Sequence, residues 1–323
     1  MYPKVRMIDD LRTGIQNQDE RIIAKAISIL ENNIPDLSQS LRKEIYATSS
    51  KTYVLGITGA PGAGKSTLIE ALVSSWDSQL KIGIVSIDPS NKMNGGALLG
   101  DRIRMAPLFS KPNIFIRSMS NRGIFGGVNK SIYDVIQLFS FAAYDIVIVE
   151  TIGVGQNEID IADIADTVMV VSAPESGDSI QILKAGLMEI ADMYVINKID
   201  LAGAERMEYM LRENMKVQAD GNWSPKIVKI QANQRKHMDV LLQTIQEHKT
   251  YLTLHNQLYT RRKNHLKKTI REAIIDRFTS RFIDPILQEV SFENHLHSII
   301  QGTSSFDEAI DHVLLSIEKD VKK

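Results

Sequence analysis

The chain has no cysteine among its 323 residues. Disulfides are therefore excluded, and so are zinc or iron–sulfur sites built from thiolates. There is no excess of either charge sign: 38 Lys and Arg stand against 39 Asp and Glu, a formal net charge of -1. Nothing in that balance argues for nucleic acid as the main partner. No run approaches the roughly 20 consecutive apolar residues that a membrane-spanning helix needs. The opening MYPKVRMIDDLRTG is charged and has no signal-peptide apolar core. Repeats and low-complexity tracts are missing too. The expectation is a cytoplasmic protein with no direct membrane insertion. One local crowd of charge, Arg261, Arg262, Lys263, Lys267, Lys268 and Arg271, reads as a solvated helix face.

What is present is a 43% hydrophobic complement, enough for a sizeable core, in short apolar runs. Residues 1–50 read as a helical extension, with Ile22, Ile23, Ala26, Ile27, Ile29 and Leu30 at helical spacing. Residues 51–252 change pattern. Short strands are expected near 53–58, 81–87, 113–117, 144–149, 167–171, 193–196 and 226–231. Helices are expected from 65 and over 130–142, 178–190, 201–216 and 236–252. Strands alternating with helices indicate an α/β fold, a mostly parallel sheet flanked by helices. Ligands then sit at the carboxyl ends of the strands. Residues 253–323 read as further helices with no nucleotide motif.

The central motif is Gly59, Ala60, Pro61, Gly62, Ala63, Gly64, Lys65, Ser66 and Thr67, a full GxxxxGK[ST] between a strand and a helix. Its glycines allow backbone N–H groups to converge on phosphates, and the helix N-terminus adds a favourable field. Lys65 is placed to reach the β/γ-phosphates, Ser66 to bind Mg²⁺ and Thr67 to support the α-phosphate. Glu150, ending a strand before Thr151, Ile152 and Gly153, is the leading candidate for the metal's acid, with Asp88 and Asp101 as further candidates. Gly153 would offer its N–H to the γ-phosphate.

Asn197, Lys198, Ile199 and Asp200 match NKxD after a strand. A fixed Asp200 carboxylate can accept both guanine N1–H and N2–H, whereas adenine would leave it unpaired. Asn197 would bridge base and phosphate loop, and the Lys198 stem would cover the base. Where a Ser-Ala turn is usual, the chain reads Gln231, Ala232, Asn233, with the Ala232 N–H available to the guanine oxygen. The ligand is therefore expected to be GTP or GDP, with Mg²⁺. Hydrolysis would be attack of water on the γ-phosphorus, catalysed by position and charge through Lys65, Glu150 and Gly153. The residue after Gly153 is Val154, which cannot orient water, and Gln156 is the nearest glutamine. A slow basal rate follows. Arg102, Arg104, Arg117 and Arg122 are possible charge suppliers, each more simply a structural arginine.

Further residues extend the pattern: Asp88-Pro-Ser90, Leu99-Gly-Asp101, Arg104-Met105, Gly126-Gly127, Glu150 through Gln156, Gly177-Asp178, Lys184-Ala-Gly186 and Glu189-Ile-Ala-Asp192. Together they resemble one family, the cobalamin-enzyme-associated GTPases, SIMIBI-class P-loop proteins formerly labelled arginine/ornithine transport ATPases. The resemblance implies a GTPase that chaperones the adenosylcobalamin-dependent methylmalonyl-CoA mutase. It also implies a homodimer through the C-terminal helices, and a second switch over 175–184 that includes Lys184. The chain departs from the family at Asn91-Lys-Met-Asn94, at Gln231, and in having no tryptophan in its C-terminal arm. A related acyl-CoA mutase as client remains open. So do a metal-centre maturation GTPase, a transport-associated nucleotide-binding protein and a scaffold that holds GTP without turnover. His295 and His297 read as a surface pair rather than metal ligands.

Overall fold

The computed structural model describes residues 2–34, 36–48, 51–89, 105–121, 131–151, 161–174, 186–215 and 222–321. They form two compact units, Met1–Lys263 and Asn264–Lys323.

The first unit is built on seven strands: β1 (Tyr53–Gly59), β2 (Ile82–Pro89), β3 (Ile114–Asn121), β4 (Ile146–Thr151), β5 (Thr167–Ser172), β6 (Met193–Ile196) and β7 (Lys226–Lys229). Their order is β3-β2-β4-β1-β5-β6-β7, and every pairing is parallel. The central strands are Val-, Ile- and Leu-rich because both faces of a parallel sheet are covered. β1, β4 and β5 are buried along their whole length.

One side chain recurs at the strand starts. An aspartate immediately precedes β4, β5 and β6, and each caps the backbone N–H at the start of a neighbouring strand. Asp145 accepts from Lys81 N, Asp166 from Val54 N and Asp192 from Val168 N, each at 2.9 Å. Two of these donors, Val54 N and Val168 N, are buried, where an unpaired N–H would be costly.

Eight helices lie wholly within the described residues of this unit. They are α1 (Tyr2–Gln16), α2 (Glu20–Glu31), α3 (Leu37–Ile45), α4 (Lys65–Ser75), α5 (Ile132–Phe141), the short α6 (Leu187–Ile190), α7 (Ala204–Asn214) and α8 (Met238–Leu254). α2 starts where the Asp19 carboxylate accepts the N–H groups of Arg21 and Ile22. Its apolar stripe, Ile23, Ala26, Ile27 and Leu30, joins Leu41, Ile45, Val135 and Phe139 in one core. The N-terminal helices are thus packed structure. Arg42 donates to Asp134 of α5 at 2.7 Å, and Arg117 of β3 donates to Glu31 of α2 at 2.6 Å. Arg117 is therefore a structural arginine. The second core lies on the other face, where Leu68, Ile69 and Leu72 of α4 meet Leu241 and Ile245 of α8.

α9 (Gln257–Phe278) begins in the first unit and runs into the second. A π-helical turn (Thr279–Ile283), α10 (Asp284–Leu287), α11 (Val290–Ile300) and α12 (Phe306–Val321) follow. Pro285 stands at the start of α10, where its missing N–H costs nothing. Gly302 ends α11 at a φ of 70°.

Candidate nucleotide site

The phosphate loop leaves β1 and enters α4 at the carboxyl edge of the sheet. Gly59 has a φ of 133°, and a Cβ there would stand 2.0 Å from the Val171 carbonyl oxygen, so only glycine fits. Gly64 has a φ of 87°, and a Cβ there would fall 2.5 Å from Asn197 Nδ2. Pro61 and Gly62 face solvent, while Ala60 and Ala63 are buried. Lys65 is buried, and its ammonium donates to the carbonyls of Gly59 at 2.6 Å and Ala60 at 3.0 Å. These two bonds fix the cation inside the loop. Thr67 follows one residue after Ser66 and is exposed.

Ser66 is the link to the opposite strand. Its hydroxyl donates to Glu150 Oε1 at 3.1 Å, and Ser86 of β2 approaches Oε2 at 3.4 Å. Ser86 and Glu150 are register partners across β2 and β4. Glu150 is 2% exposed. Hard oxygen donors brought together at a buried point beside the lysine suit Mg²⁺, which prefers one or two carboxylates plus phosphate and water oxygens. The same edge holds a hydroxyl pair, Thr151 donating to Thr58 at 2.9 Å. The carboxyl end of β2 carries Asp88, whose backbone pairs in register with Ser120. Asp101, Gly153, Gln156, Lys184, Arg102, Arg104 and Arg122 lie outside the described residues.

The base side is organised by Asn197. Its Nδ2 donates to the Ala63 carbonyl at 2.9 Å. Its Oδ1 accepts from Lys198 N at 2.8 Å and Ala232 N at 3.1 Å. One buried amide thus ties the end of β6, the phosphate loop and the turn after β7. The Ala232 N–H, expected to face a guanine oxygen, is donated to Asn197 here. Lys198 takes a positive φ of 57°, Leu201 N closes the turn on its carbonyl, and Asp200 is exposed beside it. Arg235, beyond Ala232, pairs with Glu70 of α4 at 2.9 Å.

Sequence reasoning missed Ser86, Thr58 and Arg235 as neighbours of the site. It also missed a cluster at the opposite edge. There Arg261 grips both oxygens of Asp192 at 2.7 Å, and Arg262 bonds Asp166 and the Thr52 carbonyl. His248 is fully buried; its Nδ1 contacts Thr167 Oγ1 at 2.6 Å, and its Nε2 lies 3.3 Å from Asp192 Oδ1. Burial alone would raise the Asp192 carboxyl; the His248 ring and the Arg261 guanidinium outweigh it and hold it below its ordinary value. The clue was available: a pair of arginines in a helical stretch and an aspartate before each of β4, β5 and β6.

Comparison with known proteins agrees with this architecture. Residues 23–285 match the family described as methylmalonyl-CoA mutase-associated GTPase MeaB. A Pyrococcus abyssi protein is 37% identical over 316 residues, covering 96% of this chain and 97% of its own. The Escherichia coli GTPase ArgK is 34% identical over 274 residues, covering 80% and 82%. A crystal structure of a LAO/AO transport system kinase superposes with a TM-score of 0.71 at 24% identity, covering 97% and 98%, which speaks for the fold. A parallel sheet carrying a phosphate loop, an NKxD turn joined to it by one asparagine, and a family match over most of the length lead to one statement: the chain is a P-loop GTPase of the methylmalonyl-CoA mutase-associated MeaB family.

Proposed function

We propose that this GTPase is a chaperone for an adenosylcobalamin-dependent acyl-CoA mutase, methylmalonyl-CoA mutase or a relative, and that its nucleotide state governs loading or protection of the mutase cofactor. The observation that carries the client is the family match over residues 23–285. The geometry that supports the nucleotide is the Asn197 amide between base turn and phosphate loop. With GTP bound, Asp200 would accept the guanine N1–H and N2–H, and the Lys198 stem would lie on the base. Ala232 N–H would be shared between Asn197 and the guanine oxygen. Lys65, held by two carbonyls, would place its charge on the β/γ-phosphates.

Ser66 and Glu150 would hold Mg²⁺, with Asp88 and Asp101 at or near its water shell. The ion would neutralise charge building on the phosphates. The Gly153 N–H would meet the γ-phosphate, and Gln156 is the residue nearest in sequence that could orient water. Val154 occupies the position next to Gly153, so the resting rate is slow and a partner raises it.

The second unit supports a homodimer. Leu266, Ile270, Ile274 and Phe278 repeat every fourth residue on α9, and all are exposed. Ile310 and Leu314 do the same on α12. An apolar stripe of that length is a contact surface, and a second copy of the chain is the proposed occupant.

The deciding experiment is GTP turnover by the purified chain, alone and with an adenosylcobalamin-dependent acyl-CoA mutase. Slow turnover alone, raised on the order of tenfold or more by the mutase, is the expected result. Turnover indifferent to every such mutase would remove the client and leave the GTPase.

A further inference from the structure

β1 and β4 are neighbours, and both end at the site. β1 runs into the phosphate loop at Gly59, while β4 ends at Glu150 and Thr151, immediately before the residues that follow the metal's acid. Thr151 donates its hydroxyl to that of Thr58 at 2.9 Å, and the two residues are 1% and 0% exposed. One position earlier, the Glu150 carboxylate takes the hydroxyl of Ser66 from α4 and faces that of Ser86 from β2. The last two residues of β4 are therefore met by hydroxyls from three different elements.

The threonine pair is not needed to fill space. Valine has nearly the same shape, and the surrounding strand positions are already Val149, Val170 and Val171. Two buried hydroxyls cost free energy unless they satisfy each other. What they add over two valines is direction: an O–H···O bond sets the distance and angle between the two backbones it joins. Those backbones are the root of the phosphate loop and the start of the stretch holding Gly153.

We propose that the Thr58–Thr151 bond is a positioning latch through which the protein distinguishes GTP from GDP. It fixes the end of β4 against the phosphate loop, so that the chain continuing toward Gly153 starts from a set point relative to the phosphates. Neither threonine touches the reacting atoms in this scheme; both are positioning residues. The inference rests on the reading of Gly153 as the γ-phosphate contact.

The test uses the full chain with Mg²⁺ and fluorescent GDP and a non-hydrolysable GTP analogue. Affinities are compared for Thr58→Val, Thr151→Val, the double variant, and Thr58→Ser and Thr151→Ser. Each valine is expected to weaken the GTP analogue about three- to tenfold, the worth of one hydrogen bond, while GDP changes by less than about twofold. The double variant should lose no more than either single, because one bond is shared. Each serine keeps the hydroxyl and should keep the GTP-to-GDP affinity ratio even where its melting temperature falls. Should a valine variant fail to fold, the serines still decide, since a changed ratio in them overturns the latch. Equal weakening of both nucleotides, or a lower melting temperature with an unchanged ratio, would reduce the pair to packing. A wild-type chain that binds both nucleotides equally would overturn the γ-phosphate reading and the latch together; wild-type discrimination retained in the valine variants sinks the latch alone.

Discussion

Single residues carry most of what could be read from the sequence at the site. The phosphate loop is legible because its roles are local: a turn, a left-handed glycine, a lysine one residue further on. Gly64 shows where local reading stops. The sequence says that a glycine is wanted for its backbone; the structure adds that its missing Cβ makes room for Asn197, 133 residues away by number. Gly64→Ala is expected to push the Asn197 amide off the Ala63 carbonyl and to strain a φ of 87°. Guanine-nucleotide affinity measured by calorimetry should fall at least about tenfold, the equivalent of roughly 1.4 kcal/mol. An alanine variant that binds GDP as the wild type does would show that Asn197 is not held by this contact. Ser86 was illegible for the complementary reason. A serine in an apolar strand has no signal of its own, and only the register of β2 on β4 brings it to Glu150.

At the scale of elements, seven strands and their parallel order follow from short apolar runs alternating with helical periodicity. The ends moved by a few residues. β3 extends to Asn121 rather than stopping near 117, because β2 continues beside it and supplies partners. The helix expected over 178–190 is described only at Leu187–Ile190, and residues 175–185 lie outside the described ones. The aspartates that start β4, β5 and β6 were overlooked, since a lone Asp before a strand looks like an ordinary turn residue. Two of them also anchor α9 through Arg261 and Arg262. Arg261→Ala leaves Asp192 as a buried carboxylate without its bidentate partner. It should cost about 3 kcal/mol in urea unfolding, the low end for breaking a buried pair because the guanidinium keeps a third of its surface in water. The Asp192 carboxyl is held below its ordinary value of 3.8. Its contribution is therefore fully present above that value and fades as pH falls through the lower folded one. Wild type and Arg261→Ala should then converge in stability as pH drops below 3.8. A difference that stays constant through acid would assign the loss to packing.

The whole molecule divides at Lys263, inside α9. The two parts differ in kind. The first buries its apolar residues in two cores on either side of a sheet. In the second, Ile270, Ile274 and Phe278 stay at least 43% exposed. Helical periodicity was visible in both parts, but a sequence pattern cannot say whether a stripe faces its own chain or another one. Replacing Ile270 and Ile274 together by glutamate should convert a dimer to a monomer in sedimentation velocity, with the melting of the first unit unchanged. A wild-type chain that sediments as a monomer at micromolar concentration would remove the proposed self-association. No described helix is long and apolar enough to cross a membrane.

The strand order has a consequence for how the protein is made. β1 carries the phosphate loop and is buried throughout, yet its two native neighbours are β4 and β5. A ribosome that has finished β1 must add every residue from Ala60 to Asp145 before β4 begins, on the order of 10 s of synthesis. During that interval β2 and β3 can pair with each other, but β1, buried along its whole length in the finished sheet, has no native place to go. The N-terminal helices α1 to α3 are already made by then, although α5, the helix they pack on, is not yet complete. The nascent chain thus carries its future nucleotide site as an unpaired apolar strand, which is the stage at which a holding chaperone would matter most to its yield.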